Sequence, residues 1–492
     1  MSERLRPRDL AVLAGESAST PRHNATVEVF DPADSGFDYS GLVELVGDRI
    51  SFVPRYRQRI AKVPGGLANP VWVDDPDFDL GYHVRRSALP RPGTPEQLFE
   101  LVARIVSRPL DRHRPLWEVY FIEGLEDGKV AVLSKSHEVL VDGVHTVDLA
   151  QVLLDRTPEP RPMHHDDWRP LSAPSPTGLV AGAVQDSVTD PATVIDTART
   201  SIDSALRSAD ALATRAGAVA AALGTSLGTS LGSRRPAGDH PLGGHLSQQR
   251  RVITVRTALH DYLDVRKEHG GSVNDVILAT VTGALRGWLL GRSESMSGIR
   301  HVRTVVPVSV SDRELEATSL GSPIIAYFVD LPVGEASPVV RLHQVSYAFK
   351  AHRDTGRGVA ANRLAGIAGF APSTFHAIGA RVTADEARRG FQLSVTNVPG
   401  PQSPLFAAGA RMLETYPVHP LLPGHALAIG VTSYDGQVFY GITADRDALP
   451  DVDTLGQCIL EAFEELKESA SETRQRAPRG RKKTGPTKAP SP

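Results

Sequence analysis

A chain of 492 residues is too long for one hydrophobic core, so two domains of ordinary size are expected. Apolar residues (41%) and charged residues (23%) stand in globular proportions, and a net charge of −3 argues against a nucleic-acid binder. The single cysteine, Cys458, excludes an internal disulfide and a cysteine-based metal cluster; its apolar setting predicts a small core residue of a C-terminal helix.

Met1 to Leu10 is charged and lacks an apolar core, so no secretory signal is expected. Residues 1–171 form a first lobe. Within it Gly128 to Ser136 reads as a strand, Asp142-Gly143 as a turn, and Val144, Val147, Ala150 and Leu154 repeat at helical spacing up to about Asp155. Residues 172–250 shift to Ala, Ser, Thr and Gly, giving a helix over 201–223 followed by a flexible linker. The stretch Ala216 to Leu223 is far shorter than the ~18 residues a membrane span needs, so the protein is expected to be cytoplasmic or to rest on a membrane surface.

Residues 251–468 form a second lobe. Strands are expected at Val252 to Val255, Val302 to Val310, Pro323 to Leu331, Gln392 to Thr396, Leu427 to Ser433 and Val438 to Ala444, with a long helix from Val273 to Leu290. Strands mixed with long helices in both halves predict an α/β (α+β layered) fold. Residues 469–492 are basic, proline-containing and nearly without apolar side chains, which predicts a disordered tail.

Several familiar signatures fail. His137-Glu138 begins an H-E-x-x-H zinc motif, but Val141 stands where the second histidine is needed, and no other metal site is expected. Gly224 to Gly228 and Gly228 to Gly232 match the serine-hydrolase elbow, yet they form a tandem repeat in a small-residue linker without the flanking strand and helix. Gly128-Lys129 is followed by Val130, which removes the phosphate-loop reading.

The segment His137-Glu138-Val139-Leu140-Val141-Asp142-Gly143 sits where a strand hands over to a helix, a junction that can present polar side chains at the edge of a rigid sheet. The plain alternative is a strand-turn-helix with Asp142 as the helix cap. Trp72 to Leu80, Arg108 to Glu118, Val273 to Ala279, Arg303 to Ser309 and Thr396 to Pro401 follow the same order and spacing as motifs of one family. With them the chain closely resembles the bacterial wax ester synthase/diacylglycerol acyltransferase family over roughly Leu5 to Leu466.

That resemblance implies two lobes, each similar to a chloramphenicol acetyltransferase domain, with a tunnel at their interface. It implies transfer of a fatty acyl group from coenzyme A, a co-substrate, to diacylglycerol or a long-chain alcohol, with no bound cofactor. The family signature is H-H-x-x-x-D-G, whose second histidine takes the proton of the acceptor hydroxyl. Here His137 matches the first histidine, Glu138 stands in place of the second, and Asp142 and Gly143 match the remainder. The aspartate is expected to hold local geometry through an ion pair.

A histidine near pKa ~6.5 suits proton abstraction better than an exposed glutamate near ~4.3, and burial raises a carboxyl group towards the useful range. Glu138 is therefore the expected replacement base in an enzyme of reduced or altered activity. Glu138→His is expected to raise turnover and Glu138→Ala to abolish it. His137 is a second candidate base, yet it should face the other way along the strand.

Less directly, the resemblance places Asn274 near the reacting centre as an oxyanion donor, with a helix cap as the alternative reading, and Thr396 and Asn397 beside the coenzyme channel. Trp117 shapes the first lobe or lines the acyl tunnel, Arg303 pairs with a carboxylate between the lobes, and His419 and His425 are structural. The runner-up is a non-catalytic lipid- or acyl-CoA-binding relative that lost the base. Because the acceptors are insoluble, peripheral contact with a membrane or lipid-droplet surface is expected, helped by the basic tail.

Overall fold

A computed structural model describes residues 3–33, 35–66, 68–141, 148–161, 168–181, 240–292, 299–309, 323–354, 359–363, 374, 376–377, 379–381 and 390–476. Among them the strands are β1 (His23–Asp31), β2 (Gln58–Ala61), β3 (Val71–Asp74), β4 (Val84–Ala88), β5 (Trp117–Glu123), β6 (Val130–His137), β7 (Arg250–Ala258) and β8 (Val302–Ser309). They continue with β9 (Pro323–Leu331), β10 (Val359–Arg363), β11 (Leu393–Val398), β12 (Phe406–Ala407), β13 (Ala410–Val418), β14 (Leu427–Tyr434) and β15 (Gln437–Asp445).

Two sheets define two lobes, in the orders β12-β13-β1-β6-β5-β4 and β10-β9-β8-β11-β14-β15-β7; β2 and β3 form a separate ribbon. Each sheet has its own apolar core, one around Val27, Phe30, Trp117 and Leu133, the other around Val276, Leu285, Val395 and Ile442. The mixed α/β, two-lobed fold is the expected one.

In the first lobe the helix Pro95–Val106 covers one face of the sheet. Thr94 and Gln97 form a capping box, proline occupies the first turn, and Leu98, Phe99, Val102, Ala103, Ile105 and Val106 supply the buried stripe. Carbonyls at its end and just past it meet side chains of the sheet: Lys135 Nζ donates to Ile105 O (3.2 Å) and Arg108 O (2.6 Å), and His23 Nε2 lies 2.9 Å from Val106 O. Burial, against the pull of Glu118, lowers the Lys135 ammonium to about 8.

The second-lobe strands begin and end within a few residues of the expected ones, and the long helix runs Val273–Gly291. Three boundaries differ. β12 and β13 lie inside residues 251–468 yet join the first-lobe sheet, β13 running antiparallel to β1 with Val27 opposite Tyr416. Residues 240–250, expected in the linker, pack on the second lobe: Leu242 is buried and Gly243 bridges to His425. The helix Asp453–Arg476 continues past 468 with Ala470 buried, because its apolar stripe still has a core to cover there. The helix expected over 201–223, the glycine-rich linker after it and the tail beyond Arg476 lie outside the described residues. Among the described residues no helix is long and apolar enough to cross a membrane.

Candidate active site between the lobes

Strand β6 alternates its side chains between two environments. Lys135 and His137 point to the side of the helix Pro95–Val106. Ser134 and Ser136 point to the other side, with Asn24, Thr26 and Glu28 of β1 on the same face by register. All of these polar residues are buried.

Just past the strand, Glu138 is fully buried and extends the β1–β6 pairing, its N–H donating to Arg22 O at 3.0 Å. Its Oε2 accepts from Arg22 Nη2 at 2.7 Å, while its Oε1 has no hydrogen-bond partner among the described residues. His137 turns away as expected: Nδ1 accepts from Val139 N–H at 3.2 Å, and Nε2 lies 3.5 Å from Glu16 Oε2. Burial of Glu16 disfavours its charge, but His137, the Arg22 N–H and Arg112 outweigh it and hold that carboxyl well below the usual range.

The residues expected at Asp142 and Gly143 lie outside the described residues. The part of the expected helix at 144–147 also lies outside them; the described helix is Leu149–Leu153, capped by Asp148, which accepts from Ala150 N–H at 3.0 Å. Asp148 also accepts from Ser136 Oγ at 2.7 Å. Burial raises the Asp148 carboxyl despite these donors, and burial with Asp148 nearby pushes Glu28 up to about 8.

Residues 374, 376–377 and 379–381 bring the second lobe onto this site. Thr374 Oγ1 accepts from Asp148 N–H at 2.8 Å and donates to Gln151 Oε1 at 2.6 Å. Arg381 donates to Glu138 O at 3.3 Å and pairs with Asp9. On the other side a side chain at Gly379 would meet Thr396 Cγ2 at 3.1 Å, so the segment lies against β11. Glu138 therefore sits at the seam of the lobes.

At this seam His419, which the sequence offered as a lone structural residue, meets His376. His376 Nδ1 and His419 Nε2 are 3.1 Å apart, and His376 Nε2 is buried without a partner among the described residues. Burial holds both rings neutral, His419 at about 4 and His376 well below its ordinary value. No spacing rule joins residues 43 positions apart, so this pair carried no sequence signal. His425 is held among backbone groups, its Nε2 3.0 Å from Phe391 O and its Nδ1 3.0 Å from Pro423 O, one of which takes the single N–H of the neutral ring.

Asn274 and Asn397 meet, Asn397 Nδ2 donating to Asn274 Oδ1 at 3.0 Å. Asn274 is not the helix cap: Ser272 is, with Asp275 completing the capping box. The Asn274 amide is thus oriented by a neighbouring strand rather than spent on the helix end. Thr396 and Asn397 do not share a face. Thr396 is buried against Gly379, whereas Asn397 faces the helix Val273–Gly291, as consecutive strand residues must.

Two expectations are corrected. Trp117 lines no channel: only 1% exposed, it donates to Tyr56 O at 2.7 Å and stacks on His83 at 4.5 Å. Arg303 is exposed, its guanidinium over Phe328, and among the described residues it is Arg381 that carries a cation from the second-lobe sequence onto the first, pairing with Asp9. Among the described residues no cluster of metal-ligating side chains occurs.

Two sheeted lobes thus meet at a seam in which the Glu138 carboxyl group is buried. Residues 5–277 match the wax ester synthase/diacylglycerol acyltransferase catalytic domain, and residues 320–467 match the WS/DGAT C-terminal domain. The chain belongs to this family of acyltransferases. A relative from Mycobacterium tuberculosis named as a diacylglycerol O-acyltransferase is 37% identical over 269 residues, covering 55% of this chain and 97% of the relative. Another from that organism, named likewise, is 33% identical over 440 residues, covering 87% and 88%.

Among solved structures, the wax ester synthase/diacylglycerol acyltransferase of Marinobacter aquaeolei VT8 aligns with a TM-score of 0.63 at 25% identity, covering 95% of this chain and 100% of that one. The first condensation domain of the CDA synthetase, at 16% identity and a TM-score of 0.52 over 96% and 97% of the chains, shares the fold.

Proposed function

We propose that the chain transfers a long-chain acyl group from coenzyme A to the hydroxyl of diacylglycerol or of a long-chain alcohol, with Glu138 as proton acceptor. The observation that carries this reading is the Glu138 carboxylate itself. It is buried at the seam, at the signature position, anchored through one oxygen and without a hydrogen-bond partner among the described residues at the other. An acceptor hydroxyl bonded to Oε1 gives up its proton as its oxygen attacks the thioester carbonyl, a role worth roughly 10²–10⁴ in rate. Asn274, its amide fixed by Asn397, supplies a hydrogen bond to the developing oxyanion. No metal or bound cofactor takes part. Thiol release from palmitoyl-CoA, followed with and without diolein or hexadecanol for wild type and Glu138→Gln, tests this reading: acceptor-dependent release that vanishes in the variant supports it.

A second reading is a lipid- or acyl-CoA-binding relative without catalysis. It is favoured by Arg22, which commits one oxygen of Glu138 to an ion pair. Tight acyl-CoA binding without acceptor-dependent thiol release would mark it. In either case the lipid ligands imply peripheral contact with a membrane or lipid-droplet surface. Flotation of the full chain and of a chain ending at Arg476 with anionic liposomes tests the share of the basic tail.

A further inference from the structure

The register that sets His23 opposite His137 brings Arg22 opposite Glu138 on the next rung. Arg22 is held from three sides. Its N–H donates to Glu16 Oε1 at 3.0 Å, its carbonyl accepts from Glu138 N–H at 3.0 Å, and its Nη2 donates to Glu138 Oε2 at 2.7 Å. The two side chains are 7% and 0% exposed, and Arg22 Nε is buried without a hydrogen-bond partner among the described residues.

Stability does not account for such a pair, since burying two charges costs about what their attraction returns, and apolar residues of similar volume often do better. Removing one partner alone is costly, because it strands the other charge. The identity of residue 138 is therefore tied to that of residue 22.

We propose that Arg22 is a positioning residue for acyl transfer: it clamps Oε2 of Glu138 so that Oε1 is presented to the seam, and the two residues form one functional unit. This inference rests on the reading of Glu138 as proton acceptor. In the step it serves, the acceptor O–H bond breaks and its proton passes to Oε1 while the acceptor oxygen bonds the thioester carbon. The C–S bond then breaks, and the departing thiolate takes that proton from Glu138, returning the pair to its starting charge.

This geometry argues against a gain from Glu138→His alone. An imidazole beside the Arg22 guanidinium leaves a buried cation without its counter-charge. The length-matched uncharged change Arg22→Met removes that conflict.

Steady-state kinetics of the full chain with palmitoyl-CoA and diolein test the proposal in Arg22→Met, Arg22→Lys, Glu138→His and the double variant Arg22→Met/Glu138→His, with Glu138→Gln as reference. Arg22→Met is expected to lose about 10²-fold in kcat with KM for palmitoyl-CoA unchanged, and Arg22→Lys to recover most of that loss. The double variant is expected to exceed Glu138→His by about 10-fold or more in kcat per folded molecule, the folded fraction of each variant being fixed by its thermal unfolding curve so that recovered folding alone is not counted. Wild-type kcat in Arg22→Met, or a double variant no better than Glu138→His, overturns the role of Arg22. Full activity in Glu138→Gln instead overturns the underlying reading of Glu138.

Discussion

Pro417 presses its carbonyl against Gly441 so closely that a side chain at position 441 would stand 1.9 Å from the Pro417 oxygen. The end of β13, a first-lobe strand, thereby lies directly on β15 of the second-lobe sheet. Gly430 does the same work beside it, where a Cβ would meet Pro417 Cγ at 2.7 Å and the His419 ring at 2.8 Å. Two strand glycines let the lobes close on each other. Gly441→Ala is expected to cost roughly 3 kcal/mol or more. Gly287→Ala, whose Cβ meets only Cys458 Sγ at 3.8 Å, is expected to be neutral or stabilising. Urea unfolding midpoints of the two variants check the contrast.

Arg49 and Asp155 form a two-pronged buried ion pair, Nη2–Oδ2 at 2.7 Å and Nη1–Oδ1 at 3.2 Å, with side chains 1% and 2% exposed. The backbone of Asp155 also bonds Phe406 in both directions. The pair thus pins the chain leaving the site helix to β12. Asp155→Ala strands the guanidinium and is expected to lose about 3–5 kcal/mol by denaturant titration.

Glu28 gives the fold a distinctive pH dependence. Burial, with Asp148 nearby, raises its folded pKa from 4.5 to about 8. Below pH ~4.5 the group is protonated folded or unfolded and costs nothing. As pH rises towards 8 the unfolded chain ionises it first, so stability is progressively lost, reaching roughly 4 kcal/mol. Glu28→Gln is therefore expected to match wild type in unfolding midpoint at pH 4.5 and to exceed it at pH 8. A constant difference across that range would contradict the assignment.

Asn274 and Asn397 are expected to behave as a unit in turnover. Asn274→Ala removes the proposed oxyanion donor and is expected to lower kcat about 10²–10³-fold. Asn397→Ala frees the amide that it orients, so its loss should be smaller, and the double variant should be no worse than Asn274→Ala alone. Additive losses in the cycle would separate the two residues.

What the sequence displayed follows from what it is able to encode locally. The strand Pro323–Leu331 and the helix Val273–Gly291 stood out because apolar periodicity and caps are written within their own residues. The joining of β13 to β1 did not, because it depends on glycines more than ten residues away in β14 and β15 making room. At the site, the position of Glu138 and the turned-away His137 were legible from signature and alternation. Arg22 was not: its partner lies 116 residues distant, and nothing near it marks a buried charge. Of the two readings of Trp117, shaping the lobe or lining a tunnel, the sequence could not choose, because its hydrogen bond to Tyr56 O is a tertiary event.

The account depends most on the free oxygen of Glu138 receiving a proton during acyl transfer. Single-turnover release of coenzyme A from palmitoyl-CoA, with diolein present, in wild type and Glu138→Gln tests it most directly. Acceptor-dependent release by wild type, slowed roughly 10²-fold or more by the amide, is the predicted result. Equal rates in the two proteins would contradict it.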